Sequence, residues 1–149
     1  MKPDSDLSLM YGPVAADLPR VTQLIGSVAT EPELEFLQKM LSAALAGTGK
    51  LLRPAISLLS ARLGSYDIEL VAPLAASVEL LHTATLVHDD VIDEADERRG
   101  QPTPNSLFGN AASVMLGDYM FANAADFIAR TNRPVVVRKF ASAIMLIAE

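Results

Sequence analysis

An all-α helical bundle is the fold class this chain predicts, and three observations carry the prediction. Of its 149 residues, 50% are hydrophobic but only 5% aromatic; the apolar ones are mostly Leu, Ala, Val and Ile, which pack helix against helix. Apolar runs of helical periodicity recur along the chain, separated by breaks rich in Gly and Pro. No pair of alternating segments joined by a turn predicts a hairpin, and no sequence repeat is present. This length suits one domain with a real core.

Taken in order, residues 18–28 read as a first helix. Thr30 and Glu33 have capping-box spacing for a second helix over residues 32–46. Gly47-Thr48-Gly49 breaks it. A third helix covers residues 52–63, with Pro54 tolerated in its first turn and Gly64 ending it. The longest helix spans residues 68–95, with a bend expected at Pro73. Residues 96–109 hold Gly100, Pro102, Pro104 and Gly109 and read as a loop. Asn110 is a candidate cap for a helix reaching Arg130, Asn132-Arg133-Pro134 is a turn, and a last helix starts near Val135. That helix has no stop signal: its strongly apolar run reaches the end of the chain at Glu149, which reads as a truncated chain or fragment. Residues 1–17 are expected to be flexible.

Charge and composition exclude several functions. The net charge of −6 argues against nucleic-acid binding. The absence of cysteine excludes disulfides and thiolate metal sites. The N-terminal residues lack the basic and apolar regions of a signal peptide. The longest uncharged stretch, residues 100–117, carries two prolines and several amides, so stable membrane insertion is not expected. These features predict a soluble cytoplasmic protein.

The chemistry concentrates where the longest helix ends, at His88-Asp89-Asp90-Val91-Ile92-Asp93, with Arg98-Arg99 close behind. Asp89 and Asp93 lie one helical turn apart on one face. Hard carboxylate oxygens at that spacing suit Mg²⁺, which completes its shell with water and substrate phosphate. His82 falls within the same stripe of roughly 40°, about 10 Å deeper along the axis. Asp90 points elsewhere, as a supporting or alternative ligand. The guanidinium forks of Arg98 and Arg99 match phosphate oxygens. Gly49-Lys50-Leu51-Leu52-Arg53-Pro54 sets Lys50 and Arg53 around a glycine-rich helix start, where backbone N–H groups already favour an anion. A magnesium–polyphosphate complex is the expected ligand.

Together these segments resemble the trans-type isoprenyl diphosphate synthases, the polyprenyl synthetase family. The resemblance covers about residues 35–149 and includes Glu79-Leu80-Leu81-His82, Arg98-Arg99-Gly100-Gln101-Pro102-Thr103 and Gly117-Asp118-Tyr119-Met120-Phe121-Ala122. It implies the N-terminal half of a helical bundle of the isoprenoid synthase type. It also implies a Mg²⁺-dependent prenyltransferase that condenses isopentenyl diphosphate with an allylic diphosphate, and a homodimer. Asp89 and Asp93, with Asp90 in support, would bind the metal that holds the allylic diphosphate, which Arg98 would contact. Lys50, Arg53, His82 and Arg99 would hold isopentenyl diphosphate. Metal ions and arginines would stabilise charge developing on the diphosphate leaving group as the allylic C–O bond ionises. The family usually has a basic residue where this chain has Leu51, and its second Asp-rich cluster has no counterpart here.

Product length can be argued from the same helix. In short-chain members a bulky aromatic near Thr85 blocks the tail's tunnel; small Ala84 and Thr85 would leave it open, giving a product longer than farnesyl. Phe121, with Met120, is a candidate for a deeper floor. Competing readings are a class I terpene cyclase, a partner-dependent subunit of a heteromeric prenyl synthase, and a di-iron bundle. The last would use Glu79 and His82 but lacks a second Glu-x-x-His.

Overall fold

The computed structural model describes residues 11–46 and 49–148. Seven α-helices occur among them: α1 (Leu18–Thr30), α2 (Glu35–Leu45), α3 (Leu52–Ala61), α4 (Ile68–Ile92), α5 (Pro104–Phe108), α6 (Asn110–Ala129) and α7 (Pro134–Ala148). Between α4 and α5 lies a two-stranded antiparallel hairpin, β1 (Glu97–Arg98) and β2 (Gln101–Pro102), with Glu97 opposite Pro102 and Arg98 opposite Gln101.

Helix α4 is the axis of the bundle. It packs most extensively on α6, and also on α3 and α1. Ala72, Ala75, Ala76 and Ala84 are fully buried along it, and their small side chains let neighbouring helices approach closely. Leu80, Leu116, Met120, Ala124 and Phe127 fill the core beside them. By length and composition α4 could cross a membrane, yet 67% of its most apolar window is buried inside the bundle. Pro73 lies inside α4 and the helix continues through it.

The expected helices are present, with altered ends. Helix α1 runs on through Thr30, whose hydroxyl donates to the Ser27 carbonyl, so the capping box does not form and α2 begins at Glu35 after Leu34. Helix α6 takes Asn110 as its first residue, with Gly109 at the cap. Helix α4 stops at Ile92 instead of Ala95. There Glu94 turns left-handed (φ 51°), the Ala95 N–H reaches the Asp90 carbonyl and the Glu94 N–H reaches that of Val91. These bonds make a Schellman end, with Glu where Gly is usual.

The expected loop 96–109 holds the hairpin and α5. Of the segment expected to be flexible, residues 1–10 lie outside the described residues. Residues 11–17 pack on the bundle: Val14 is fully buried, and the Asp17 carboxylate accepts from Tyr66 and Arg62. Burial, and next the hydrogen bond to Asp17, push the Tyr66 phenol up to about 12. The Gly47-Thr48 part of the expected break lies outside the described residues.

Candidate active site

A cleft of roughly 840 Å³ opens between α4, the start of α3 and the hairpin. Lys50, Arg53, His82, Arg98 and Arg99 all line it, together with Glu79 and Asp90. Residues far apart in sequence thus converge on one surface, in a chain whose net charge is −6. Leu51, Leu86 and Leu107 contribute apolar wall.

Each basic side chain is placed by a local device. At the head of α3, Leu51 adopts left-handed backbone (φ 50°), and the Tyr11 hydroxyl donates to the Lys50 carbonyl at 2.7 Å. A β-carbon is uncomfortable in that region, so this bend is held by its surroundings, and it sets Lys50 and Arg53 on either side of the helix start. In the hairpin, Arg99 and Gly100 both have positive φ (54° and 75°), as a type I′ turn requires. The hairpin is pinned from behind: the Thr103 hydroxyl and the Asn105 amide donate to the Ala95 carbonyl at 2.7 and 3.1 Å.

Two buried carboxylates back the cations. Asp90 is 3% exposed, and the Arg98 Nε and Nη2 both donate to its Oδ1 at 2.7 Å. That hydrogen bond, more than the surrounding charges, raises the already high pKa of Arg98. Asp90 is therefore engaged with Arg98 and faces the cleft. Glu79 is 6% exposed, 3.9 Å from the Arg53 Nη1. Burial raises its pKa, against the pull of Arg53 and Arg99. Burial also lowers the pKa of His82, and Arg53, Arg99 and Arg98 add to the effect while Asp89 opposes it.

Asp89 and Asp93 sit beside the cleft rather than in its lining. Both are exposed, and among the described residues neither takes part in an ion pair, since those of this helix end go to Asp90 and His88. Among the described residues, no third carboxylate or imidazole joins them to make a metal-binding group. Two hard carboxylates one turn apart fit Mg²⁺, which binds by one or two carboxylates and fills its shell with water and phosphate oxygen. Both also act electrostatically on Arg98, which lines the cleft.

The residues assigned to product length lie outside the lining of the cleft. Ala84 is fully buried, and the half-buried Thr85 donates its hydroxyl to the His82 carbonyl. Met120 is in the core, and Phe121 stacks on His88 with ring centroids 5.7 Å apart. His88 also lies 3.1 Å from the Val114 carbonyl, to which its Nε2–H donates. It stands directly over Gly117, where an added Cβ would run into the imidazole.

Two site residues escape sequence reasoning. Glu79 is given a role there only as a di-iron ligand, and Tyr11 falls in a segment expected to be flexible. An acid at an i, i+3 spacing from His82 is the available signal for the first; nothing local marks the second.

The chain matches the polyprenyl synthetase family over residues 34–149. It is 43% identical over 105 residues to the octaprenyl diphosphate synthase of Escherichia coli, covering 70% of this chain and 32% of that protein. It is 39% identical over 128 residues to heptaprenyl diphosphate synthase component 2 of Geobacillus stearothermophilus, covering 86% of this chain and 40% of that protein. Its fold is similar to the crystal structure of a decaprenyl diphosphate synthase from Rhodobacter capsulatus, with a TM-score of 0.88 and 37% identity over 95% of this chain and 44% of that one. A polyprenyl synthase from Caulobacter crescentus, complexed with calcium and isoprenyl diphosphate, also gives a TM-score of 0.88, with 34% identity over 95% of this chain and 43% of that one. The chain therefore spans less than half the length of these relatives. Family match, helical bundle and basic cleft agree, and the chain belongs to the polyprenyl synthetase family.

Proposed function

We propose that this chain forms the N-terminal half of a trans-prenyltransferase that condenses isopentenyl diphosphate with an allylic diphosphate. The carrying observation is the convergence of Lys50, Arg53, His82, Arg98 and Arg99 on one cleft. In this reading Lys50, Arg53 and Arg99 grip the diphosphate of isopentenyl diphosphate. His82, held neutral by burial and by its cationic neighbours, donates a hydrogen bond without adding charge. Asp90 fixes the Arg98 guanidinium and leaves Nη1 to reach the allylic diphosphate. Asp89 and Asp93 hold Mg²⁺, which when bound neutralises charge on the diphosphate leaving group. The apolar wall of the cleft limits water near the reacting carbons.

Small side chains at Ala84 and Thr85 support a product longer than farnesyl, and relatives named for octaprenyl and decaprenyl products agree. A cytoplasmic location goes with this reading; fractionation of cells expressing the chain tests it, and recovery with membranes would contradict it. A homodimer, or a partner subunit, covers the apolar end of α7, where Met145, Leu146 and Ile147 are 60–73% exposed on successive sides of the helix. The second version has a specific support in the relative named component 2 of a heptaprenyl diphosphate synthase. Sedimentation separates them: a dimer of the chain alone favours the first, a monomer the second.

A prenyl-transfer assay tests the reading. It uses Mg²⁺, labelled isopentenyl diphosphate and farnesyl diphosphate, with the chain alone and complemented by the missing part of a relative. Product in either case, of greater length than farnesyl, is expected. A complemented assembly that folds and forms no product would contradict the proposal.

A further inference from the structure

Acid groups have no obvious place in a cleft that binds diphosphate, because each repels the ligand. This cleft nevertheless contains two buried carboxylates, Glu79 and Asp90, 6% and 3% exposed. They are eleven residues apart on α4, so they lie within roughly 20° of one another on the same helix face, about three turns apart. Each stands behind an arginine from a different element: Asp90 behind Arg98 of β1 and Glu79 behind Arg53 of α3. The Asp90 pair is closed, with two contacts of 2.7 Å. The Glu79 pair is open, with Arg53 Nη1 at 3.9 Å and a solvent-inaccessible Oε2 that has no hydrogen-bond partner. A buried carboxylate oxygen without a donor is costly, and Arg53 is the cation that stands against it.

We infer that Glu79 is a positioning residue: its buried carboxylate steers the Arg53 guanidinium into the orientation that grips the diphosphate. The inference rests on the diphosphate reading above. An arginine side chain loses much rotamer freedom when it is fixed. A rigid anion behind it bears that cost before the ligand arrives, as Asp90 does for Arg98. Arg53 is 45% exposed, so its outer side is open to solvent and Glu79 supplies the fixed contact behind it.

The sign of one effect tests this. If Glu79 were only a charge, Glu79→Gln would remove repulsion and tighten diphosphate binding. As a positioning group, its loss weakens binding by about tenfold. Inorganic diphosphate is titrated calorimetrically into the 149-residue chain as wild type, Glu79→Gln, Glu79→Asp, Arg53→Ala and the Arg53→Ala/Glu79→Gln double variant. Weaker binding is expected for both Glu79 single variants, with no further loss from Glu79→Gln once Arg53 is gone. A purely structural role would not show that dependence on Arg53. Equal or tighter binding by Glu79→Gln overturns the inference while leaving the diphosphate site standing. If Glu79→Gln does not fold, Glu79→Asp decides: affinity equal to wild type overturns the inference. No binding by the wild-type chain overturns the diphosphate reading itself, and this inference with it.

Discussion

The cleft and the exposed carboxylate end of α4 are neighbours with opposite construction. In the cleft, Arg98 is tied to a buried Asp90, Arg53 faces a buried Glu79, and a strained Leu51 and a pinned hairpin set the backbone. On the adjoining helix face, Asp89 and Asp93 stand in solvent, with no third ligand gathered around them among the described residues. The cleft has its counter-charges built in, whereas in the proposed reading the carboxylate pair would depend on ligands from outside: water, substrate phosphate or another part of the protein. An anion site organised before binding spends less on ordering itself. The contrast predicts that the two regions can be damaged separately.

The largest effect should come from the carboxylates. In the complemented, active enzyme, Asp89→Ala with Asp93→Ala should lower kcat by at least about 10²–10³-fold. Steady-state kinetics should show the KM for isopentenyl diphosphate changing far less. A loss confined to that KM would mean the two regions were assigned the wrong way round.

Next comes the cleft itself. Arg53→Ala should weaken isopentenyl diphosphate binding by about 1.5–3 kcal/mol, the range for a hydrogen bond to a charged group. Equilibrium binding with and without added salt would check this, because the effect should shrink as salt screens it.

Gly117 tests the packing that joins α4 to α6 beneath the carboxylates. A Cβ there would strike the His88 ring, so Gly117→Ala should cost about 1–3 kcal/mol of stability. Adding His88→Ala should restore part of the loss, read from denaturant melts of single and double variants. Additive losses would mean the ring is free to move aside.

The pH response is smaller and has two signs. Burial raises the Glu79 pKa, so ionising Glu79 costs stability as pH rises from its unfolded value through its folded one. Above that window Glu79→Gln should be more stable than wild type, and below it equal. His82 is lowered from 6.5, so protonating it costs stability as pH falls from there through its folded value. His82→Gln should lose that acid-side dependence in melting curves.

The helices are legible because their signals are local: periodic apolar residues, and Pro and Gly at the breaks. The ends are less so. Glu94 ends α4 in a conformation that usually calls for Gly, and Arg99 occupies a type I′ position that favours Asn or Gly. In both places the tertiary structure overrides local preference, so sequence patterns run the helix too far and miss the hairpin. Glu94→Gly should accordingly stabilise the chain by about 0.5–1 kcal/mol in a denaturant melt. The basic cleft residues are legible, because Lys50 and Arg53 mark a glycine-rich helix start and Arg98 and Arg99 follow an acidic helix end, and the fold brings all four to one cleft. Glu79 is not, since a single acid within an apolar helix shows its role only once the fold brings Arg53 of α3 against it.

A calorimetric titration of isopentenyl diphosphate into the chain with and without Mg²⁺ separates the two regions. Wild type is compared with Asp89→Ala/Asp93→Ala and with Lys50→Ala/Arg53→Ala. A self-organised cleft predicts binding without Mg²⁺ that survives loss of the aspartates and disappears with the basic pair. Binding that requires Mg²⁺ and fails with the aspartates alone would contradict it.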